Sequence, residues 1–224
     1  MNYSGEIHLI YGKIGAENFV LPIANTYQGK SIIYCQSGEE KSINSNIKIK
    51  YLPKWFDMKI SLKFHFLLNF KPSCIFLYFL FIKNRSSKLV VHMNTFALFP
   101  LIIAKIAGIK KRTYFNHGFP FVNALRVIKF ISYIIEFINI IFATDVITVS
   151  PKQLKYLKNN VITKIKEIKP IYPGSCCGIS ISRIISNKDL NKKKASLYLN
   201  DNNIYITYIG RPFIRKGFPY IIHL

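Results

Sequence analysis

The sequence predicts an α/β fold built on an open, doubly wound parallel sheet, and two observations carry that prediction. Short β-rich runs alternate with helical patterns through most of the 224 residues, the order expected of repeated βαβ units. Several of those runs are apolar almost throughout, as strands are when helices cover both faces of a sheet. The expectation is one complete Rossmann-like domain over residues 1–165, then a linker and the start of a second, incomplete domain over residues 166–224.

Taken in order, Glu6–Tyr11 (EIHLIY) reads as a strand closed by the turn Tyr11-Gly12-Lys13-Ile14-Gly15-Ala16. Phe19–Thr26 reads as a helix, and Ser31–Cys35 and Ile47–Leu52 as strands. Asp57–Phe70 is helical, extended by the apolar run Ser73–Ile82. That run covers about ten residues, half of what crossing a bilayer needs, and Lys71, Pro72, Lys83, Asn84 and Arg85 close it off. Lys88–His92 and Arg112–Asn116 are strands flanking a helix over Phe96–Ala107. In the helical pattern Ala124–Phe142, Arg126, Lys129, Ser132, Glu136 and Asn139 recur at three- and four-residue steps. They fall on one stripe, so the expectation is a packed helix with this stripe, Glu136 included, as its wet edge. Asp145–Val149 is a strand that Asp145 caps or opens, and Pro151–Asn159 is a helix.

The pattern then changes. Ile162 to Tyr172 is a Lys-rich connection, Pro173-Gly174-Ser175 a turn signal, and Ser186 to Lys194 a polar surface loop. Ile204–Ile209 is one more apolar strand, ending at Gly210. One strand and part of a helix cannot bury a sheet face, so the second domain is expected to be truncated.

Composition narrows the partners. With 50% apolar and 15% aromatic residues, wholesale disorder is excluded. Thirty-two Lys and Arg against 10 Asp and Glu give a net charge of +22, a field that favours nucleic acid, anionic lipid or phosphorylated substrates. The cations are scattered rather than gathered on one helix or in an RNP-like motif, which argues against nucleic acid. Of the four cysteines, Cys35 and Cys74 are isolated and Cys176 and Cys177 adjacent, which suits neither a disulfide framework nor a zinc site but free thiols in a reducing compartment. No secretory signal is visible at the N-terminus, and the chain reads as cytoplasmic.

Three places can carry chemistry. Gly210-Arg211-Pro212-Phe213-Ile214-Arg215-Lys216-Gly217 follows an apolar strand directly. Gly210 allows a sharp turn at the carboxyl strand end, and Arg211 and Lys216 then set two cations there, suited to a phosphate or diphosphate. The bland alternative is a solvated basic loop. Second, His117-Gly118 follows Arg112–Asn116, where an imidazole can hydrogen-bond a sugar hydroxyl or leaving group and the glycine lets a ligand approach. The alternative is a satisfied structural histidine. His92, at another strand end, has the same two readings, while His8, His65 and His223 carry less. Third, the turn around Gly15 could cradle phosphate, although it is not GxGxxG because the third position is Asn18. Carboxylates are few, and a general-base pair has no candidate.

In this order the pieces resemble a family 4 glycosyltransferase of the GT-B fold. The resemblance rests on Val91-His92-Met93-Asn94 with the helix Pro100–Ala104, on Asn116-His117-Gly118-Phe119-Pro120-Phe121, on Ala143-Thr144-Asp145 through Ser150, and on Gly210-Arg211 through Lys216-Gly217. Gly174-Ser175 to Gly178-Ile179 is similar to the turn opening the second domain in bacterial capsule, O-antigen and glycan-assembly members. The likeness covers about residues 6 to 224. It implies sugar transfer from a nucleotide-diphosphate donor with retention and no obligatory metal, the nucleotide sugar being a co-substrate and not a cofactor. It further implies that Arg211 and Lys216 hold the diphosphate, that His117 is the catalytic residue facing the donor sugar, and that the turn at Gly15 approaches the same ligand. A glycan or lipid-linked acceptor is implied too, with the +22 charge fitting peripheral attachment to an anionic membrane at its inner face.

Two departures qualify the likeness. The family's Gly-Val-Asp reads Gly178-Ile179-Ser180 here, and its pair of glutamates eight positions apart would lie beyond Leu224. The expectation is therefore the front part of an enzyme. The alternative is an inactive remnant or split subunit that needs a second chain to complete the donor-binding half.

Overall fold

The computed structural model describes residues 5–12, 16–36, 41–56, 64–92, 94–119, 125–160, 167–170, 203 and 218–222. Its strands are β1 (Glu6–Gly12), β2 (Ser31–Gln36), β3 (Lys41–Ser42), β4 (Ile47–Leu52), β5 (Lys88–His92), β6 (Arg112–Asn116), β7 (Asp145–Thr148) and β8 (Ile168–Pro170). They form one sheet in the order β3-β4-β2-β1-β5-β6-β7-β8. Only the pair β3–β4 is antiparallel; the other neighbours are parallel. The order reverses at β1, so the chain first builds outward to one side and then to the other, as the doubly wound pattern predicts. The fold is α/β and compatible with a Rossmann-like arrangement.

The helices are a wide π-helical turn, Ala16–Val20, running into α1 (Leu21–Asn25), then α2 (Phe64–Lys83), α3 (Asn94–Ile106), α4 (Arg126–Phe142) and α5 (Pro151–Asn160). A short α6 (Phe218–Ile222) lies further on. By its contacts the chain divides into two units, Met1–Gly178 and Ile179–Leu224; Asn203 and α6 are the described residues of the second. Among the described residues, no helix is long and apolar enough to cross a membrane.

Period-two alternation gives the sheet two different faces. Ile7, Leu9, Leu89, Val91, Tyr114 and Val146 join α2, α3, α4 and α5 in the larger core. Ile10, Ile33, Cys35, Ile47 and Ile49 pack on the opposite face, with Ala16, Val20 and Ala24 of the π turn and α1. Gly108, at φ +85°, ends α3: its N–H and that of Ile109 reach back to the carbonyls of Lys105 and Ala104 at 3.1 and 2.9 Å, a helix stop that turns the chain toward β6.

Two expectations are corrected. Ile162 to Tyr172, read as a connection, contributes β8, which pairs parallel with β7. Three residues are too few for a period-two signal, and the strand closes on Pro170, which lacks the N–H a longer ladder would use. The second concerns α4. Of its stripe, Arg126 is exposed and Lys129 half-buried, but Ser132, Glu136 and Asn139 are buried, while Val127, Phe130 and Ile131 are 70%, 65% and 50% exposed. The stripe faces inward because Tyr114 and Asn116 of β6 offer donors to Glu136 there.

Candidate functional site

The site lies where β6 ends. Its last residue, Asn116, is fully buried and its side chain is fully engaged. Asn116 Nδ2 donates to Glu136 Oε1 in a short contact, while Asn116 Oδ1 accepts from the Gly118 N–H at 2.8 Å and from Gln153 Nε2 at 2.6 Å. Gln153 is anchored in turn, its Oε1 accepting the Val149 N–H at 2.9 Å. Gly118 has φ +143° with open space where a Cβ would stand, so conformation rather than crowding calls for glycine. The result is a turn pinned by side chains from α4 and α5.

Tyr114, two residues back on the same face, has its hydroxyl 3.0 and 2.9 Å from the two Glu136 oxygens. Burial pushes the Glu136 carboxyl up to about 7, although the bonds from Tyr114 and Asn116 work against it. Burial, reinforced by Glu136, drives the Tyr114 phenol well above its usual range.

On the other face of β6 stands a line of imidazoles. Strand register sets it: Glu6 pairs with Lys88 and His8 with Val90 between β1 and β5, and His92 pairs with Phe115 between β5 and β6. Period two therefore puts Glu6, His8, His92 and Phe115 on one face, and His117 follows at the strand end. His8 Nδ1 lies 3.3 Å from His92 Nε2, and His92 Nδ1 lies 2.9 Å from His117 Nε2. At the far end Glu6 Oε2 is 3.2 Å from His8 Nε2, an ion-pair distance without good hydrogen-bond alignment, and Lys88 Nζ donates to Glu6 Oε1 at 2.7 Å. Phe115 stacks on His117 at 4.7 Å between ring centroids, and Phe19 of the π turn tilts over it at 6.0 Å.

Burial holds His117 down to about 4 and, with His8 and His117 alongside, holds His92 well below its usual value. Burial raises Glu6, but the adjacent His8 and Lys88 outweigh it and leave that carboxyl below its ordinary range. Near neutral pH His117 is thus an uncharged ring, able to donate or accept one hydrogen bond at the carboxyl end of a parallel sheet, where ligands of such folds bind. Among the described residues, no group of three or more His, Cys, Asp or Glu is placed to hold a metal ion.

No family model and no curated protein matches the chain.

Of the residues singled out from sequence, His117 sits at this strand end, and His92 and the lightly weighted His8 prove to be joined to it. Gly15, Arg211 and Lys216 lie outside the described residues, as do the strand Ile204–Ile209, the turn Pro173–Ser175, Cys176 and Cys177. Cys35 and Cys74 form no disulfide among the described residues. Glu6, Asn116, Glu136 and Gln153 were not singled out as site residues. For Glu6 and Asn116 the signal that could have found them is polar residues at period two inside otherwise apolar strands, Glu6 with His8 and Tyr114 with Asn116; Glu136 and Gln153 lie on helices, where that signal does not reach.

Proposed function

We propose that this chain is a glycosyltransferase that moves a sugar, with retention, from a nucleotide-diphosphate sugar to a lipid-linked saccharide acceptor in cell-surface glycan assembly. The observation that carries the reading is a neutral His117 followed by a positive-φ Gly118 at the carboxyl end of β6. Both are held rigidly, His117 through His92 and Gly118 through Asn116. In this reading His117 orients a donor-sugar hydroxyl through its remaining ring nitrogen. Arg211 and Lys216 hold the diphosphate and offset the charge that grows on it as the bond from the anomeric carbon to the phosphate oxygen breaks. The acceptor hydroxyl oxygen then bonds to that carbon on the face the diphosphate leaves, its O–H bond breaking and its proton passing to the leaving phosphate oxygen, while Gly15 approaches the same ligand.

Attachment to an anionic membrane belongs to the same proposal, and α4 supports it. Leu125, Val127, Ile128, Phe130 and Ile131 are exposed around Arg126 and Lys129. An apolar face studded with cations suits the boundary between acyl chains and anionic headgroups.

The test is donor hydrolysis and transfer by the purified chain, with a panel of nucleotide sugars and a membrane extract as acceptor. The reading predicts turnover with one donor, lost in Arg211→Ala, Lys216→Ala and His117→Ala. A folded chain that turns over no donor, or variants as active as the wild type, would contradict it.

A further inference from the structure

Hydrogen-bond geometry fixes what each imidazole in the line can do. A neutral imidazole has one N–H and one bare nitrogen, and the hydrogen bond at one determines the other. The Glu6 carboxylate, 3.2 Å from His8 Nε2, favours by charge, without an aligned hydrogen bond, the tautomer of His8 that carries its single proton on Nε2 and leaves Nδ1 bare. His8 Nδ1 must then accept from His92 Nε2–H at 3.3 Å, which leaves His92 Nδ1 bare to accept from His117 Nε2–H at 2.9 Å. His117 is left with a bare Nδ1, which has no partner among the described residues. One carboxylate at the amino ends of β1 and β5 therefore sets the hydrogen-bonding character of an atom at the carboxyl end of β6.

We propose that His117, His92 and His8 form a proton relay between the ligand at the strand end and the Glu6–Lys88 pair. The relay deepens the reading of His117 given above and rests on that reading for its substrate, a sugar hydroxyl or the water that accompanies it. When such a group gives a proton to His117, its O–H bond breaks, the electron pair stays on its oxygen, and an N–H bond forms at Nδ1. The Nε2–H bond of His117 breaks and its proton passes to His92 Nδ1. The Nε2–H bond of His92 breaks in turn and its proton passes to His8 Nδ1. His117 and His92 finish neutral in the opposite tautomer, and His8 finishes with both nitrogens protonated against the Glu6 carboxylate. One proton enters, one positive charge appears at His8, and the reverse sequence restores the line.

The relay answers a physical difficulty. A cation on His117 or His92 is disfavoured by burial, so neither is a competent base alone. Moving the charge to His8 places it 3.2 Å from a carboxylate. The charged groups facing the line among the described residues are Glu6 and Lys88. Phe115 and Phe19 flank His117 without charge, and Glu136 lies across the sheet with Tyr114. Beyond Glu6 the line opens into a cleft lined by Arg85, Lys88, Lys110 and Lys111. The Lys88 side chain, 38% exposed, links Glu6 to solvent there.

Histidine side-chain nitrogen resonances of the ¹⁵N-labelled full chain at neutral pH test the proposal without any sugar donor. The relay predicts Nε2–H tautomers for His117 and His92 in the wild type. In Glu6→Gln, with the carboxylate charge removed three side chains away, the His117 resonances shift toward a mixture of tautomers. Lys88→Met perturbs the same end from a partly exposed side chain and should shift His117 in a smaller step, covering the case in which Glu6→Gln fails to fold. In the double variant Glu6→Gln/His92→Phe the response to position 6 disappears from His117. An Nδ1–H tautomer on wild-type His117, or His117 resonances unmoved in a folded Glu6→Gln or Lys88→Met protein, would overturn the relay. Because no donor enters the measurement, the glycosyltransferase reading can fail while the relay stands, and the reverse.

Discussion

The two faces of β6 bury polar groups in opposite ways. Toward α4, the strand offers donors to a carboxyl: Tyr114 and Asn116 surround Glu136, with no cation in contact among the described residues. Toward the π turn, it lies beside three imidazoles, His8, His92 and His117, whose only carboxylate among the described residues is at the far end. The faces must therefore respond oppositely to acid. Between pH 4.5 and about 7 the folded chain keeps a proton on Glu136 that the unfolded chain loses, so this face gains stability as pH falls through that window. Between pH 6.5 and about 4 the unfolded chain binds a proton that folded His117 refuses, and His92 acts in the same direction. That face loses stability as pH falls. Both meet in one turn, Asn116-His117-Gly118, so opposing titrations act on a single structural element.

Substitution at the end on which the proposed function rests has the largest expected effect. His117→Ala should lower transfer by about 10²–10⁴-fold while leaving the thermal midpoint close to wild type, because the side chain is partly exposed; a steady-state assay beside a melting curve reads both. Asn116→Ala breaks the joint itself. It takes from Gln153 its 2.6 Å partner, strands the Gly118 N–H and removes half the support of Glu136, and urea unfolding should show a loss of about 3 kcal/mol or more.

Glu136→Gln sharpens the comparison by silencing one face. A glutamine can accept from Asn116 and donate to Tyr114, so the network stays satisfied while its titration goes. At pH 8 the variant should be more stable than wild type by roughly 2–3 kcal/mol, from the raised carboxyl, and the gain should vanish near pH 4.5. Stability of this variant should then fall monotonically on acidification, exposing the histidine face alone. Gly118→Ala comes next: with φ +143° and open space around it, the cost is backbone strain of about 1–3 kcal/mol, with lost turnover as the turn is displaced. The smallest effect on stability is expected on the outer side of α4. Phe130→Ser with Ile131→Ser should stay within about 0.5 kcal/mol of wild type, yet flotation with vesicles containing an anionic lipid should lose most of the bound protein.

Much of the sheet could be read from sequence because its strands are short apolar runs separated by turn residues. Ile47–Leu52, Lys88–His92 and Arg112–Asn116 form at the bounds the pattern predicts. β3 and β8, at two and three residues, are too short to show periodicity, and their pairing comes from the neighbours they add to. The place of His117 directly after a strand was legible because β6 forms at the bounds the pattern predicts. Its connection to His8 was not, since His8 and His92 are 84 positions apart and meet only through the adjacency and register of β1 and β5. Glu136 was misread for a different reason. Helical periodicity groups Ser132, Glu136 and Asn139 on one stripe but does not say whether that stripe meets water or a strand. With apolar residues on both flanks, the deciding fact is the pair of polar side chains, Tyr114 and Asn116, that β6 presents to it.

The proposed function places the sugar donor at the turn that carries His117. The most direct test is titration of the ¹⁵N-labelled chain with individual nucleotide sugars while following the His117 ring nitrogens. The account predicts a saturable shift of Nδ1 with one donor, unchanged in Phe130→Ser and weakened in Arg211→Ala. His117 resonances that stay fixed through saturating amounts of every donor, in a chain that remains folded, would contradict it.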